Sequence, residues 1–211
     1  MIKEACTETI DQCIQAQQLG ADRVEFCADL QNDGLTPAHE DISTAFGKLA
    51  IPIRVMIRPR AGDFVYNEWE IQKMKADIEF CKNVGVEGVV FGVCTTEGRL
   101  DLELISELAQ LAFPLKVVIH KAIDHCLDPL IELKRLNTIK NVSAVLTSGK
   151  SKTALEGIPV LKSLLKAADS KLQIVACGKI TKDNLAHIHN LLGASAYHGR
   201  QIVGDLGTIN S

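Results

Sequence analysis

The run Ile53–Phe64, Ile-Arg-Val-Met-Ile-Arg-Pro-Arg-Ala-Gly-Asp-Phe, carries an alternating apolar segment straight into a loop with two arginines and an aspartate. Ile53, Val55 and Ile57 share one face of a strand, so Arg54, Met56 and Arg58 share the other. Pro59 has no N–H to donate and ends the ladder. Arg58 is therefore placed at the carboxyl end of a strand, with Arg60 and Asp63 in the loop beyond, and in an α/β protein that end is where ligands bind. Two guanidinium groups flanking a stiff proline suit a carboxylate or a phosphate, so Arg58 and Arg60 read as an anion clamp. His120, at the end of a later apolar strand, is a candidate general acid or base, with Asp124 or Glu25 setting its tautomer. Thr147 and Ser148, before Gly149, offer hydroxyl and backbone donors to the same kind of anion, or form a simple turn.

Parity extends this list. If Val24 and Phe26 face outward, Arg23, Glu25 and Cys27 face inward, and by the same rule Glu4 goes with Cys6 and Val118 with His120. Glu4, Glu25, Arg54, Arg58 and His120 then share one interior. Buried charges persist only when paired and hydrogen-bonded. The set is either a structural salt-bridge network or a site, and its members at the strand ends point to a site. Cys6, Cys27, Cys94 and Cys177 also fall at or just past strand ends, with Cys126 in a neighbouring loop. Soft thiolates select Cu(I), and two or three suffice for a linear or trigonal site. Cys6 and Cys27 end neighbouring strands and come within ligand reach of one another, although adjacent-strand cysteines are also common as inert core residues. Cys13 and Cys81, on apolar helix faces, read as small buried hydrophobes. A zinc reading is weaker: there is no His-Glu-x-x-His, and His187 and His189 lie two apart on a predicted helix, pointing different ways.

The elements that must position these residues repeat one pattern. Leu19-Gly-Ala-Asp-Arg-Val, Val84-Gly-Val-Glu-Gly-Val and Leu192-Gly-Ala-Ser-Ala-Tyr each place a glycine suited to a left-handed helix cap directly before a strand. Strands are predicted near 2–6, 23–27, 53–58, 88–93, 115–120, 143–147, 172–177 and 195–198. Between them, Asn67 with Glu70 forms a capping box, Asp101 caps a helix whose face carries Leu102, Ile105, Leu108 and Ala112, and Asp128-Pro129 is a cap followed by proline at the first helical position. Further helices are expected over roughly 158–168 after Pro159 and over 181–192. Eight strands alternating with helices predict an α/β fold, a (β/α)8 TIM barrel, with a doubly wound open sheet as the local alternative.

Composition bounds the function. The 211 residues, 46% of them apolar, are expected to form one domain over 1–211, and no apolar run approaches the roughly 18 residues of a membrane span. A formal net charge of −3 with scattered basic residues gives no electrostatic case for nucleic acid. The opening Met-Ile-Lys-Glu-Ala-Cys has no apolar stretch of a secretory signal behind it, and the cysteines, seven in number with no C-x-x-C, read as reduced thiols. A cytoplasmic location is expected.

Arg58-Pro-Arg-Ala-Gly-Asp-Phe64 resembles the signature loop of the CutC copper homeostasis family. Gly20-Ala-Asp-Arg-Val-Glu-Phe-Cys27, Gly34-Leu-Thr-Pro37, Val90-Phe-Gly-Val93, His120-Lys-Ala-Ile-Asp124 and Val145-Leu-Thr-Ser-Gly149 are similar to that family's blocks, in its order. The resemblance implies the TIM-barrel fold and copper homeostasis, with Cys6 and Cys27 matching the cysteines proposed as copper ligands; Cys94, Cys126 and Cys177 have no such match. His198 matches a family histidine on the last strand and joins the candidate substrate-binding residues. The chain departs from the family pattern at Lys121, Ile123, Lys179 and Gly199-Arg200. Two functions follow: a Cu(I)-binding copper homeostasis protein, or a TIM-barrel enzyme on a small anionic substrate, with Arg58 and Arg60 as clamp and Glu25 and His120 as acid/base pair.

The end of the chain carries a last expectation. Gly199 to Ser211 contains three glycines in 13 residues and few apolar side chains. A closing helix is expected to be short or missing, leaving an apolar gap beside the first helix that a partner copy would cover, most simply in a homodimer.

Overall fold

Eight short strands form a closed, all-parallel barrel in the order of the chain, as the sequence predicts. The computed structural model describes residues 1–207. The elements run β1 (Ile2–Thr7), α1 (Ile10–Gln18), β2 (Arg23–Phe26), α2 (His39–Lys48), β3 (Ile53–Met56), α3 (Glu68–Val84), β4 (Gly88–Phe91), α4 (Leu102–Ala112), β5 (Lys116–Ile119), α5 (Ala122–His125), α6 (Pro129–Leu136), β6 (Val142–Thr147), α7 (Ala154–Ala167), β7 (Gln173–Ala176), α8 (Leu185–Leu192) and β8 (Ala196–Gly199). The short α5, between β5 and α6, is not signalled by apolar periodicity, because a single turn shows too little of the 3.6-residue period.

Strand parity divides the apolar residues into two layers. Val24, Phe26, Ile53, Val55, Val89 and Phe91 point outward and pack under the helices. Cys6, Cys27, Met56, Val90, Val118, Ala144, Leu146, Val175, Cys177 and Ala196 fill the barrel interior as a separate, smaller cluster. The register sets Glu4 opposite Arg23 and Cys6 opposite Glu25 across β1 and β2, and Glu25 opposite Arg54 across β2 and β3. The interior charges are thus stacked beside one another.

The helix boundaries follow their caps. Asn67 and Glu70 close a reciprocal capping box at α3, Asp101 accepts from the Leu104 N–H at α4, and Asp128 accepts from the Leu130 and Ile131 N–H groups at α6. Gly20, Gly85 and Gly193 all hold the positive φ that the repeated junction demands, at +85°, +85° and +67°. Two expected helices are corrected. The one expected from 158 begins at Ala154, because Thr153 and Glu156 form a second capping box, and Pro159 sits inside the helix rather than at its first position. The one expected from 181 begins at Leu185, because Thr181 bridges to Gln201 and takes the Asn184 side chain as acceptor, which holds 181–184 in a turn.

The segment after β8 forms no helix among the described residues, yet it covers more than its composition suggests. Ile202, Val203 and Leu206 are buried in the outer core, and Gln12 and Gln15 of α1 donate to the Gly207 and Asp205 carbonyls. The expected apolar gap beside α1 is therefore closed by this chain's own residues 200–207. Three apolar side chains in an irregular segment cover this part of the barrel wall.

Gly157 shows how tightly α7 is seated. A Cβ there would lie 2.0 Å from the Ser148 carbonyl oxygen at the end of β6. In a helix interior glycine to alanine ordinarily stabilises by about 1 kcal/mol. Here the backbone contact reverses the sign: Gly157→Ala should destabilise by about 1–3 kcal/mol, read as a lowered thermal midpoint.

Candidate functional site

Near the amino-terminal end of the barrel, the Glu4 carboxylate is completely buried and gathers three cationic groups. Arg23 Nε and Arg54 Nη1 reach one of its oxygens, the latter at 3.1 Å, and His198 Nδ1 lies 3.0 Å from the other. Arg54 also donates to Glu87 at 2.8 Å, and Glu87 takes Lys116 at 2.8 Å. Burial alone would push the Glu4 carboxyl up; the His198 hydrogen bond and the charges of Arg23 and Arg54 outweigh it and hold the group at about 2. Burial works against protonation of His198, but the charge of Glu25 and the hydrogen bonds to Cys6 and Glu4 outweigh it and raise the imidazole well above its ordinary value. The structural-network reading of the interior charges therefore holds for Glu4, Arg23 and Arg54.

Above this network lies a cavity of about 740 Å³ at the carboxyl ends of the strands, lined by Cys6, Glu25, Arg58, His120, Cys177 and His198 among others. The Cys6 and Cys27 sulfurs and a Glu25 carboxylate oxygen all lie within 4.8 Å of one another. Cys27 donates weakly to Glu25 at 3.6 Å. The hydrogen bond shared with Cys27, helped by His198 and Arg200, holds the Cys6 thiol down at about 5 although burial opposes it, while the same shared bond and burial raise Cys27. Burial lifts the Glu25 carboxyl to about 8, and its Oε2 has no partner. The two thiols are soft donors of the kind that selects Cu(I), and the Glu25 carboxyl stands beside them as a hard oxygen.

His120 stands on the opposite wall. Its Nδ1 accepts from the Ala122 N–H at 3.1 Å, so the proton of the neutral ring is on Nε2, which is buried and without a partner. Gly92 makes room for the ring, since a Cβ there would sit 2.7 Å from Nδ1. Phe64 packs against His120 at 4.8 Å between centroids and beneath the Arg58 guanidinium at 5.0 Å. Arg58, Glu25 and His120 thus converge on one cavity, as the sequence suggests.

A family model described as the CutC family matches residues 1–203. The chain belongs to the CutC family. It is 39% identical over 197 residues to the human copper homeostasis protein cutC homolog, covering 93% of this chain and 72% of the relative, and 40% identical over 195 residues to a CutC protein of Mesorhizobium japonicum, covering 92% and 75%. The crystal structure of a CutC protein from Streptococcus agalactiae superposes with a TM-score of 0.90 at 29% identity, over 96% of this chain and 99% of that one. Dihydrodipicolinate synthase from Bacillus anthracis, at 11% identity and a TM-score of 0.62 over 94% and 69%, shares the fold alone.

Within this CutC barrel several expected site residues do other work. Arg60 donates from all three nitrogens, to Glu70, to Asp63 and to the carbonyls of Ala61, Asp63 and Val65. It does not line the cavity, so the two-arginine clamp is corrected: Arg60 and Asp63 brace their own loop onto α3. Arg58 lines the cavity but donates from Nη1 to the Asn32 and Gly34 carbonyls and from Nη2 to the Gly62 carbonyl, leaving only Nε without a partner. Asp124 does not reach His120. Its carboxylate accepts from the Thr147 and Ser148 hydroxyls and from the Ser148 and Lys150 N–H groups, so Thr147 and Ser148 tie the β6 loop to α5 instead of facing a ligand.

Other features escape a residue-by-residue reading. Lys121, Lys179 and Arg200, at the departures from the family pattern, line the cavity together with Lys152. Ile123 is buried in the outer core instead. Cys94 and Cys126 form a separate pair with sulfurs 4.0 Å apart outside the barrel interior, so the five rim thiols do not converge. The bond between His198 and Glu4 joins the last strand to the first, a relation that only barrel closure creates.

Burial, with the nearby Arg58 charge, lowers His120 from 6.5 to about 3. The folded state then refuses a proton that the unfolded chain accepts. Its contribution to stability is full above the unfolded value of 6.5 and is lost as the pH falls from there toward about 3. Urea unfolding should show stability declining below neutrality by up to ~1.4 kcal/mol per pH unit from this group, with a flatter profile for His120→Gln.

Proposed function

We propose that this chain is a cytoplasmic copper homeostasis protein that binds Cu(I) through Cys6 and Cys27. The juxtaposition of the two thiols with Glu25, all within 4.8 Å, carries the reading. At a thiolate-to-metal distance of about 2.3 Å, two sulfurs can span roughly 4.6 Å across one ion, so little movement is required. The family relationship and the name of the human relative support copper as the cargo. A bis-thiolate Cu(I) centre carries a net negative charge, which the protonated His198 beside Cys6 would balance. The free thiols accord with a reducing compartment.

The homodimer expected from the sequence now rests on a different surface. Residues 200–207 close the gap that suggested it, and the large exposed apolar side chains in the loops and first helical turns after the strands include Trp69, Leu127, Ile131 and Leu155. Light scattering at low micromolar concentration that reads only a 23.0 kDa species would remove the dimer.

Anaerobic Cu(I) titration against a competing chelator tests the metal reading. Wild type should take up copper at a single tight site, and Cys6→Ser and Cys27→Ser should each bind at least ~100-fold more weakly, because one thiolate cannot complete even two-coordinate Cu(I). Unchanged affinity in both variants would move the copper away from this pair.

A further inference from the structure

The cavity above the thiol pair has a charge opposite to that of the chain. Its walls include Arg58, Lys121, Lys152, Lys179 and Arg200 against the carboxylates of Glu25 and Asp33, in a protein of formal net charge −3. Low-dielectric walls lined by one sign of charge concentrate the field and attract ions of the other sign. Arg58 and Arg200 are tied to backbone carbonyls. Lys121, Lys152 and Lys179 form no ion pair among the described residues. Lys179 holds a left-handed φ of +53°, directly after Gly178 at +108°. A lysine in that sparsely populated region is the kind of local strain that clusters at ligand sites.

A second observation is independent of the surface charge. The Nε2–H of His120 is a buried donor without an acceptor, in a ring held by Ala122 and Phe64 and seated against Gly92. Unpaired buried donors are rare in folded proteins, and one on a cavity wall is placed to meet an acceptor that enters from outside.

We propose that this cavity binds a small molecule through a carboxylate or phosphate group, which accepts the Nε2–H of His120 at its inner end and pairs with the ammonium groups of Lys121 and Lys179 at its mouth. The site needs neither thiol and stands apart from the copper reading. Arg58 sets the position of the wall by holding the Asn32–Gly34 and Gly62 backbones together, and its remaining charge adds to the field. The ligand class follows from the donor set: lysine ammonium groups and a neutral imidazole N–H match an oxyanion.

The test uses the full chain without copper, so failure of the Cu(I) reading leaves it unaffected. Inorganic phosphate and malonate are titrated separately at low ionic strength by calorimetry, and the imidazole nitrogens are followed by long-range proton–nitrogen NMR. Saturable binding that shifts the His120 Nε2 resonance is expected, weakened roughly ten-fold by Lys121→Ala/Lys179→Ala, two exposed positions where folding is not at stake. Response to phosphate alone identifies a phosphorylated ligand, and response to malonate alone a carboxylate. No saturable heat with either probe overturns the proposal. So does binding that leaves the His120 resonance in place and survives the double lysine variant.

Discussion

An ionised carboxylate in the middle of a strand barrel persists only where other charges surround it, and Glu4 is placed to have them. Arg23, Arg54 and His198 converge on its two oxygens from the second, third and eighth strands, so one residue ties the first strand to both of its neighbours and to the one beyond. Such a cluster need not add net stability over an apolar core of the same volume, but losing one member leaves a bare buried charge at a cost of about 3–5 kcal/mol. Closure and charge pairing therefore depend on each other. The barrel must close for His198 to meet Glu4, and the pair then favours the closed register over any slipped one.

The same cluster separates the structural end of the barrel from its chemical end. Below, Glu4, Arg23, Arg54, Glu87 and Lys116 are all paired. Above, Glu25 Oε2, Arg58 Nε and His120 Nε2 are buried without one. His198 connects the two levels, with Nδ1 on Glu4 and Nε2 4.0 Å from Glu25, on the same wall as Cys6. A network that fixes the interior thus also places charge next to the thiols, adding to the hydrogen bond they share, which drives Cys6 down and Cys27 up.

Loop-bracing by charged side chains is the other recurring device. Arg58, Arg60 and Asp124 each satisfy several backbone groups of the segments that follow the strands. Backbone N–H and C=O groups in irregular loops have no ladder partners, and near a cavity they have little water, so a multivalent side chain is the economical way to pair them. Residue type alone makes these look like substrate ligands. Their hydrogen bonds show that they shape the rim against which a ligand would sit.

The eight strands, their inward and outward faces and the helix caps at Asn67, Asp101 and Asp128 were legible in the amino-acid order, because period, parity and capping are local and depend on neighbours a few residues apart. Cys6 and Cys27 were legible as a pair for the same reason: each ends a strand, and consecutive parallel strands lie side by side. The loop arginine and aspartate roles, the separate Cys94–Cys126 pair, the concentration of lysines around the cavity and the covering of α1 by Ile202, Val203 and Leu206 were not. Each depends on which of several reachable partners a side chain takes once the chain is folded, and that competition is between groups tens to hundreds of residues apart. Sequence determined which faces the barrel would bury; tertiary structure decided which buried polar atoms found partners within the protein and which did not.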